Sequence, residues 1–191
     1  MLFSNDENAM NLQHLNSLFD VPLPPKILNL WRTRIEDLEA AHPGSGYSVG
    51  YSCIDFELTI SIYGEISEDS LDVQSAVIWA EEFNSCCSLI PPYFDHIGKI
   101  AELRRRQIRG SGDKRHEFLC ADFFVADDSS QFITSLRLTI FKGKFVKLRL
   151  STRGITEKDA QMISLTCDEV AHLLWPMRGH SWSIDIPNME S

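Results

Sequence analysis

The sequence predicts an α+β fold, an antiparallel β-sheet with helices packed on it, closing into an α/β/α sandwich if both faces are covered. Three observations carry this. Ser130–Thr152, SQFITSLRLTIFKGKFVKLRLST, reads as a long β-hairpin; Tyr47–Tyr63 alternates over a comparable length; and stretches of helical spacing stand before, between and after them. Strands gathered in a run with helices on either side are the pattern of an α+β domain. At 191 residues the chain suits one domain with a sizeable core. The expected organisation is an N-terminal segment over 1–24, a single α+β domain over 25–180 and a C-terminal tail over 181–191.

Taken in order, residues 1–20 are polar with a short apolar pattern (Met10, Leu12, Leu15, Leu18, Phe19), which predicts a loose helix or a docking tail. Pro22, Pro24 and Pro25 punctuate it. A helix is then expected from near Pro25, because Pro is accepted in a first turn and Ile27, Leu28, Leu30, Trp31, Ile35 and Leu38 recur at helical spacing, with Pro43 and the glycines of HPGSG ending it. From Tyr47 to Tyr63 the chain predicts one long strand or two in succession. Ile54, Phe56, Leu58, Ile60 and Ile62 share one face there, and Asp55, Glu57, Thr59 and Ser61 the other. Residues 69–90 predict a helix stopped by Pro91 and Pro92, with Glu81 and Glu82 outward and a further turn or two in the segment that follows. A second hairpin is expected from the basic run at Arg104, Arg105, Arg106 and Arg109, through a GSGDK tip at 110–114, to a strand ending at Asp127-Asp128. The closing helix runs from Thr156 to about Trp175, opened by a Thr156/Asp159 capping box and ended by Pro176.

The register of the long hairpin is argued from burial. Leu136, Leu138 and Ile140 alternate with polar residues, as do Val146, Leu148 and Leu150. A three-residue loop, Lys142-Gly143-Lys144, sets Leu138 opposite Leu148 and Leu136 opposite Leu150. A two-residue loop sets Leu138 opposite Lys147 and mixes the faces, so the odd loop is the expected one. That register puts Arg137 opposite Arg149 and Thr139 opposite Lys147. The polar face carrying Arg137, Thr139, Lys147 and Arg149 is thus the candidate binding site, for a carboxylate or phosphate held by guanidinium forks. Like charges directly opposite are unfavourable, and Asp55 and Glu57 on a neighbouring strand are the expected neutralising groups.

The formal net charge is −9, unevenly placed: residues 104–153 hold 12 Lys/Arg against five Asp/Glu, and the remainder six against 22. An acidic chain with one basic strip is a poor general nucleic-acid binder, because its far field repels phosphate. No apolar run approaches the roughly 20 residues needed to span a bilayer, and no secretory signal pattern opens the chain. Cys53, Cys86, Cys87, Cys120 and Cys167 form an odd set without CxxC spacing, which predicts free thiols, buried or half-buried, in a reducing, cytoplasmic setting.

The six histidines form no HExxH and no zinc-finger spacing with cysteine. No GxSxG elbow and no GxxxxGK phosphate loop is present. His116 and Glu117 are adjacent on a strand and face opposite sides, so they do not converge for acid–base work. Cys86 and Cys87 sit on an acidic helix, which raises a thiol pKa and dulls it. The residues therefore nominate no catalytic group, no metal ligand and no cofactor, and they favour a non-enzymatic module over an enzyme.

A glycine–tyrosine strand (Gly46, Tyr47, Gly50, Tyr51), an extended strand ending Ile62-Tyr63-Gly64, a helix, the late hairpin KGKFVKLRLST and a C-terminal helix together resemble the PsbP-like α/β/α sandwich group and its relatives among small bacterial proteins. The resemblance covers Gly46 to Trp175. It implies the sandwich fold and a binding or accessory role, as in that group's photosystem-associated subunits, transport-factor partners and lipoproteins; the signal or lipobox of exported members is missing. Two functional readings follow. The first is an accessory module whose partner is another protein, an immunity-type inhibitor of a basic toxin being one form of it. The second is a small-anion or enzymatic module built on Arg137, Lys147 and Arg149, which predicts a concave pocket there.

Overall fold

Alternation dominates the middle of this chain, and backbone pairing converts it into one antiparallel sheet. The computed structural model describes residues 23–66, 73–110, 117–126, 131–174 and 182–183. Among them are nine strands: β1 (Lys26–Ile27), β2 (Leu30–Asp37), β3 (Tyr47–Ser52), β4 (Phe56–Tyr63), β5 (Lys99–Gly110), β6 (Glu117–Ala126), β7 (Gln131–Phe141), β8 (Lys144–Thr152) and β9 (Trp182–Ser183). Their order across the sheet is β1-β2-β3-β4-β8-β7-β6-β5-β9. Three helices complete the fold: α1 (Val73–Ser88), α2 (Ile90–Phe94) and α3 (Glu157–Leu174). The fold is α+β, as the sequence predicts.

Each helix roofs one side of the sheet. α3 turns Ile163, Thr166, Val170, Ala171 and Leu174 inward, a stripe at helical spacing. It covers a core built from β1, β3, β4 and β8 with Ile27, Val49, Tyr51, Leu58, Ile60, Leu148 and Leu150. On the opposite side Phe83, Cys86 and Cys87 of α1 and Ile90 and Phe94 of α2 pack on Ala121, Phe123, Val125, Leu136 and Leu138. The Trp79 indole N–H donates to the Leu138 carbonyl at 3.2 Å and ties α1 to the sheet. α3 opens on the expected capping box: the Asp159 carboxylate accepts from the Thr156 amide at 2.8 Å and its hydroxyl at 2.7 Å.

Four expectations change. Residues 26–37 form a two-strand edge, not a helix: of the supposed stripe only Ile27 and Leu30 are buried, Trp31 is 60% exposed, and pairing with β3 satisfies the backbone instead. Tertiary pairing overrides a weak local pattern here. Ile54 does not join the buried face of β4; it lies in the β3–β4 turn, 78% exposed. The long hairpin turns on two residues, with Phe141 paired to Lys144, Leu138 to Lys147 and Arg137 to Leu148. Lys142 (φ 48°) and Gly143 (φ 71°) are both left-handed, the turn whose twist matches its strands. A three-residue loop would keep one face apolar, but helices roof both faces here and both accept apolar residues. Finally, Trp182 and Ser183 of the supposed tail pair with β5. The helix expected within residues 1–20 and residues 111–114 of the GSGDK tip lie outside the described residues.

Candidate functional site

The observed register divides the four predicted site residues between the two sides of the sheet. Arg137 and Thr139 point to the α3 side, 2% and 1% exposed, while Lys147 and Arg149 point to the side of α1 and α2. Arg137 and Arg149 are therefore neither opposite nor on one face. They belong to two separate arrangements.

The first is a half-sheet that, among the described residues, no helix covers. α1 and α2 cover β5, β6 and β7, but on the same side β2, β3 and β4 present polar side chains. Pairing lines these up in rows: Trp31, Ser52, Glu57 and Ser151; then Arg34, Gly50, Thr59 and Arg149; then Glu36, Ser48, Ser61 and Lys147. The acidic face of β4 does neighbour the basic residues of β8, as the sequence suggests, and Glu57 helps hold the charge on Arg149. Gly50 is required by the row it occupies, since a Cβ there would lie 2.6 Å from Cγ of Arg34. Arg34 crosses that gap to donate to the Thr59 hydroxyl at 3.4 Å.

At the border with the helices the cations are stacked on rings. The Arg149 guanidinium lies 4.0 Å from the Tyr93 ring centre and 4.9 Å from that of Phe94, and the Lys147 ammonium 5.0 Å from Tyr63. Burial lowers the Arg149 pKa, while Tyr93 and Glu57 oppose the shift. Tyr63 donates to Glu82 at 2.6 Å, and burial first, then these neighbours, drive its pKa upward. At the outer edge Trp31 lies exposed beneath the Lys26 ammonium, 4.9 Å from the ring centre.

The second arrangement is a buried ion cluster beneath α3. Asp122, 4% exposed, accepts from Arg137 Nη1 at 2.9 Å and Arg104 Nε at 2.6 Å, and Arg106 Nη1 lies 3.5 Å away. The Ser135 hydroxyl also donates to it. Burial pushes the Asp122 carboxyl up, but Arg137, Ser135 and Arg104 outweigh this and hold it down at about 2. Asp55 and Glu57 are thus not the partners of Arg137; Asp122 is, from the adjacent strand β6. A signal for it was present: a lone carboxylate inside the apolar strand FLCADFFVA, since acids are seldom buried unless paired. A bulge between Glu102 and Arg104 sorts the basic run of β5. It sends Arg104 and Arg106 to Asp122 and leaves Arg105 across the sheet, paired with Glu102 and Asn84.

The described thiols are unpaired with one another. Burial raises the pKa of Cys86, of Cys87 to about 11 and of Cys120 to about 12, so they are protonated near neutrality. Among the described residues no three His, Cys, Asp or Glu side chains converge as a metal centre, and no helix is long and apolar enough to cross a membrane.

No protein-family model and no curated protein matches this chain. Among solved structures it is similar to cyanobacterial PsbP (CyanoP) from Synechocystis sp. PCC 6803, with TM-score 0.44 and 17% identity over 72% of this chain and 78% of that one. It is also similar to the Saccharomyces cerevisiae Ran-binding protein Mog1p, with TM-score 0.34 and 12% identity over 81% of this chain and 84% of that one. The resemblance to the PsbP-like group read from the sequence is thus met at the level of fold alone, and likenesses of this size say nothing about what the chain binds.

Proposed function

We propose that this chain is a protein-binding module and that the half-sheet of β2, β3, β4 and β8 is its docking face. The observation that carries the reading is that, among the described residues, α1 and α2 end at the border of β8 and leave most of β2, β3 and β4 uncovered on this side. They leave a rigid, laddered surface that holds Trp31, Arg34, Thr59, Lys147 and Arg149 ready for a partner. Trp, Tyr and Arg are the residue types that dominate interface energetics, and stacking on Tyr93 fixes Arg149 before a partner arrives, which lowers the ordering cost of binding. Lys26, Arg34, Lys147 and Arg149 against Glu36 and Glu57 fit a partner surface that offers a carboxylate between Arg34 and Arg149 and an apolar side chain to Trp31. Cys86, held against Tyr63 at the border of this face, is buried and donates to Glu82, so it is a poor nucleophile there.

The test is affinity capture from native extract at two salt concentrations, followed by reconstitution with the purified protein captured. A Lys147→Glu/Arg149→Glu variant runs beside the wild type, with Leu165→Glu on the exposed side of α3 as control. The expected result is one stoichiometric partner, bound at least tenfold more weakly by the double variant and unchanged by the control. Equal binding by the double variant sinks this docking face.

A further inference from the structure

We propose a second site, on the other side of the sheet, where the cavity between β5–β7 and α3 takes one arm of a small oxyanion between Arg106 and Arg137. The cavity measures about 390 Å³ with its solvent-open part included, and Arg106, Arg137, Ser164, Cys167 and Asp168 line it. Arg137 is 2% exposed, yet its Nε meets no hydrogen-bond partner among the described residues, and the buried Nε of Arg106 is in the same position. A buried donor without an acceptor is rare in native structures because it loses its water and gains nothing in return.

Charge points the same way. Arg106 and Arg137, with the more exposed Arg104, surround Asp122, and Asp168 on the cavity wall is the second carboxylate, so three cations, two of them buried, meet two acids. Burial raises the Asp168 pKa, with His172 opposing, and burial keeps Cys120 and Cys167 as neutral thiols. Burial first and the neighbouring Arg137 next lower the pKa of Arg106, with Asp122 opposing, whereas that of Arg137, against its burial, is raised by Cys120, Cys167 and Asp122. An oxyanion supplies both missing items, an acceptor for the two Nε–H groups and a negative charge, while Ser164 adds a hydroxyl at the rim. Size restricts the ligand. The cavity has room for about one small polar group and not for a whole polyatomic ligand. A carboxylate, or one corner of a phosphate, enters there, with the remainder of the molecule at the opening.

Acetate, inorganic phosphate and sulfate serve as probes, each titrated into the full-length protein at constant ionic strength and read by thermal shift and calorimetry. The expected result is a saturable Tm rise of about 5 °C at a hundredfold excess over Kd. A response to acetate assigns the site to organic acids, and one confined to phosphate and sulfate assigns it to tetrahedral anions. Arg106→Gln is expected to weaken binding at least tenfold. Ser164→Met, which fills the cavity without altering charge, does the same and carries the test if Arg106→Gln fails to fold. Lys147→Glu/Arg149→Glu keeps the response, which separates this site from the docking face. No saturable response to any of the three anions, or a wild-type response in Ser164→Met, overturns the proposal.

Discussion

Arg137 and Arg149 stand on the two arms of one hairpin, yet they occupy opposite physical environments. Arg137 lies 2% exposed beneath α3, tied to Asp122 at 2.9 Å, and burial of the pair is tolerable only because each charge has the other. Arg149 lies half-buried at the edge of α1 and α2, with aromatic rings as its main neighbours. The first is part of how the sheet holds together, and the second is held in place but available. In a sheet roofed on both sides, a strand's charged residues are sorted by which helix lies above them and where that helix ends.

Breaking the two arginines in turn measures that contrast. Arg137→Met leaves a buried carboxylate short of its main partner, and removing one member of such a pair costs about 3–5 kcal/mol. Arg149→Met loses a cation–ring stack near the surface, at a cost of about 1 kcal/mol. Urea denaturation of both variants checks this, and equal losses would erase the distinction. The next effect is one of pH. The Asp122 carboxyl is held at about 2 against an ordinary 3.8. Because the folded value is the lower one, the stabilisation is complete above about pH 5, declines as pH falls, and is gone below about 2. Its size is roughly 2–3 kcal/mol. NMR titration of the Asp122 carboxyl alongside urea midpoints from pH 6 to pH 2 tests it; a midpoint near 4 would contradict the pairing. The smallest effect concerns the turn that separates the arms. Lys142 sits at φ 48°, where Asn is better tolerated. Lys142→Asn should raise stability by about 0.5 kcal/mol and leave both faces unaltered.

Elements with local signals were legible. The capping box at Thr156, the hairpin of β5 and β6 and the helix around Phe83 all follow from residues close together in sequence. Residues 25–38 were misread because a few apolar residues near helical spacing also fit a two-strand edge, and only the presence of β3 beside them decides. At the candidate site, the neighbourhood of Glu57 and Arg149 was legible from an acidic face on one strand and a basic one on the other, whereas Asp55 precedes β4. The fate of Arg137 was not, since its partner Asp122 comes from β6 and the expected register placed it with Arg149.

What the sequence determined by itself is therefore the list of strands in the central run and which residues of each strand share a side. Alternation with period two is a property of the backbone and needs no neighbour to be read. Only the tertiary structure decided which of those sides is buried. Helices roof both sides here, so Leu138 and Arg149 lie on one face and Arg137 and Leu148 on the other. The difference between a structural arginine and an available one rests on where α1, α2 and α3 come down on the sheet, a question of distant packing that no local pattern records.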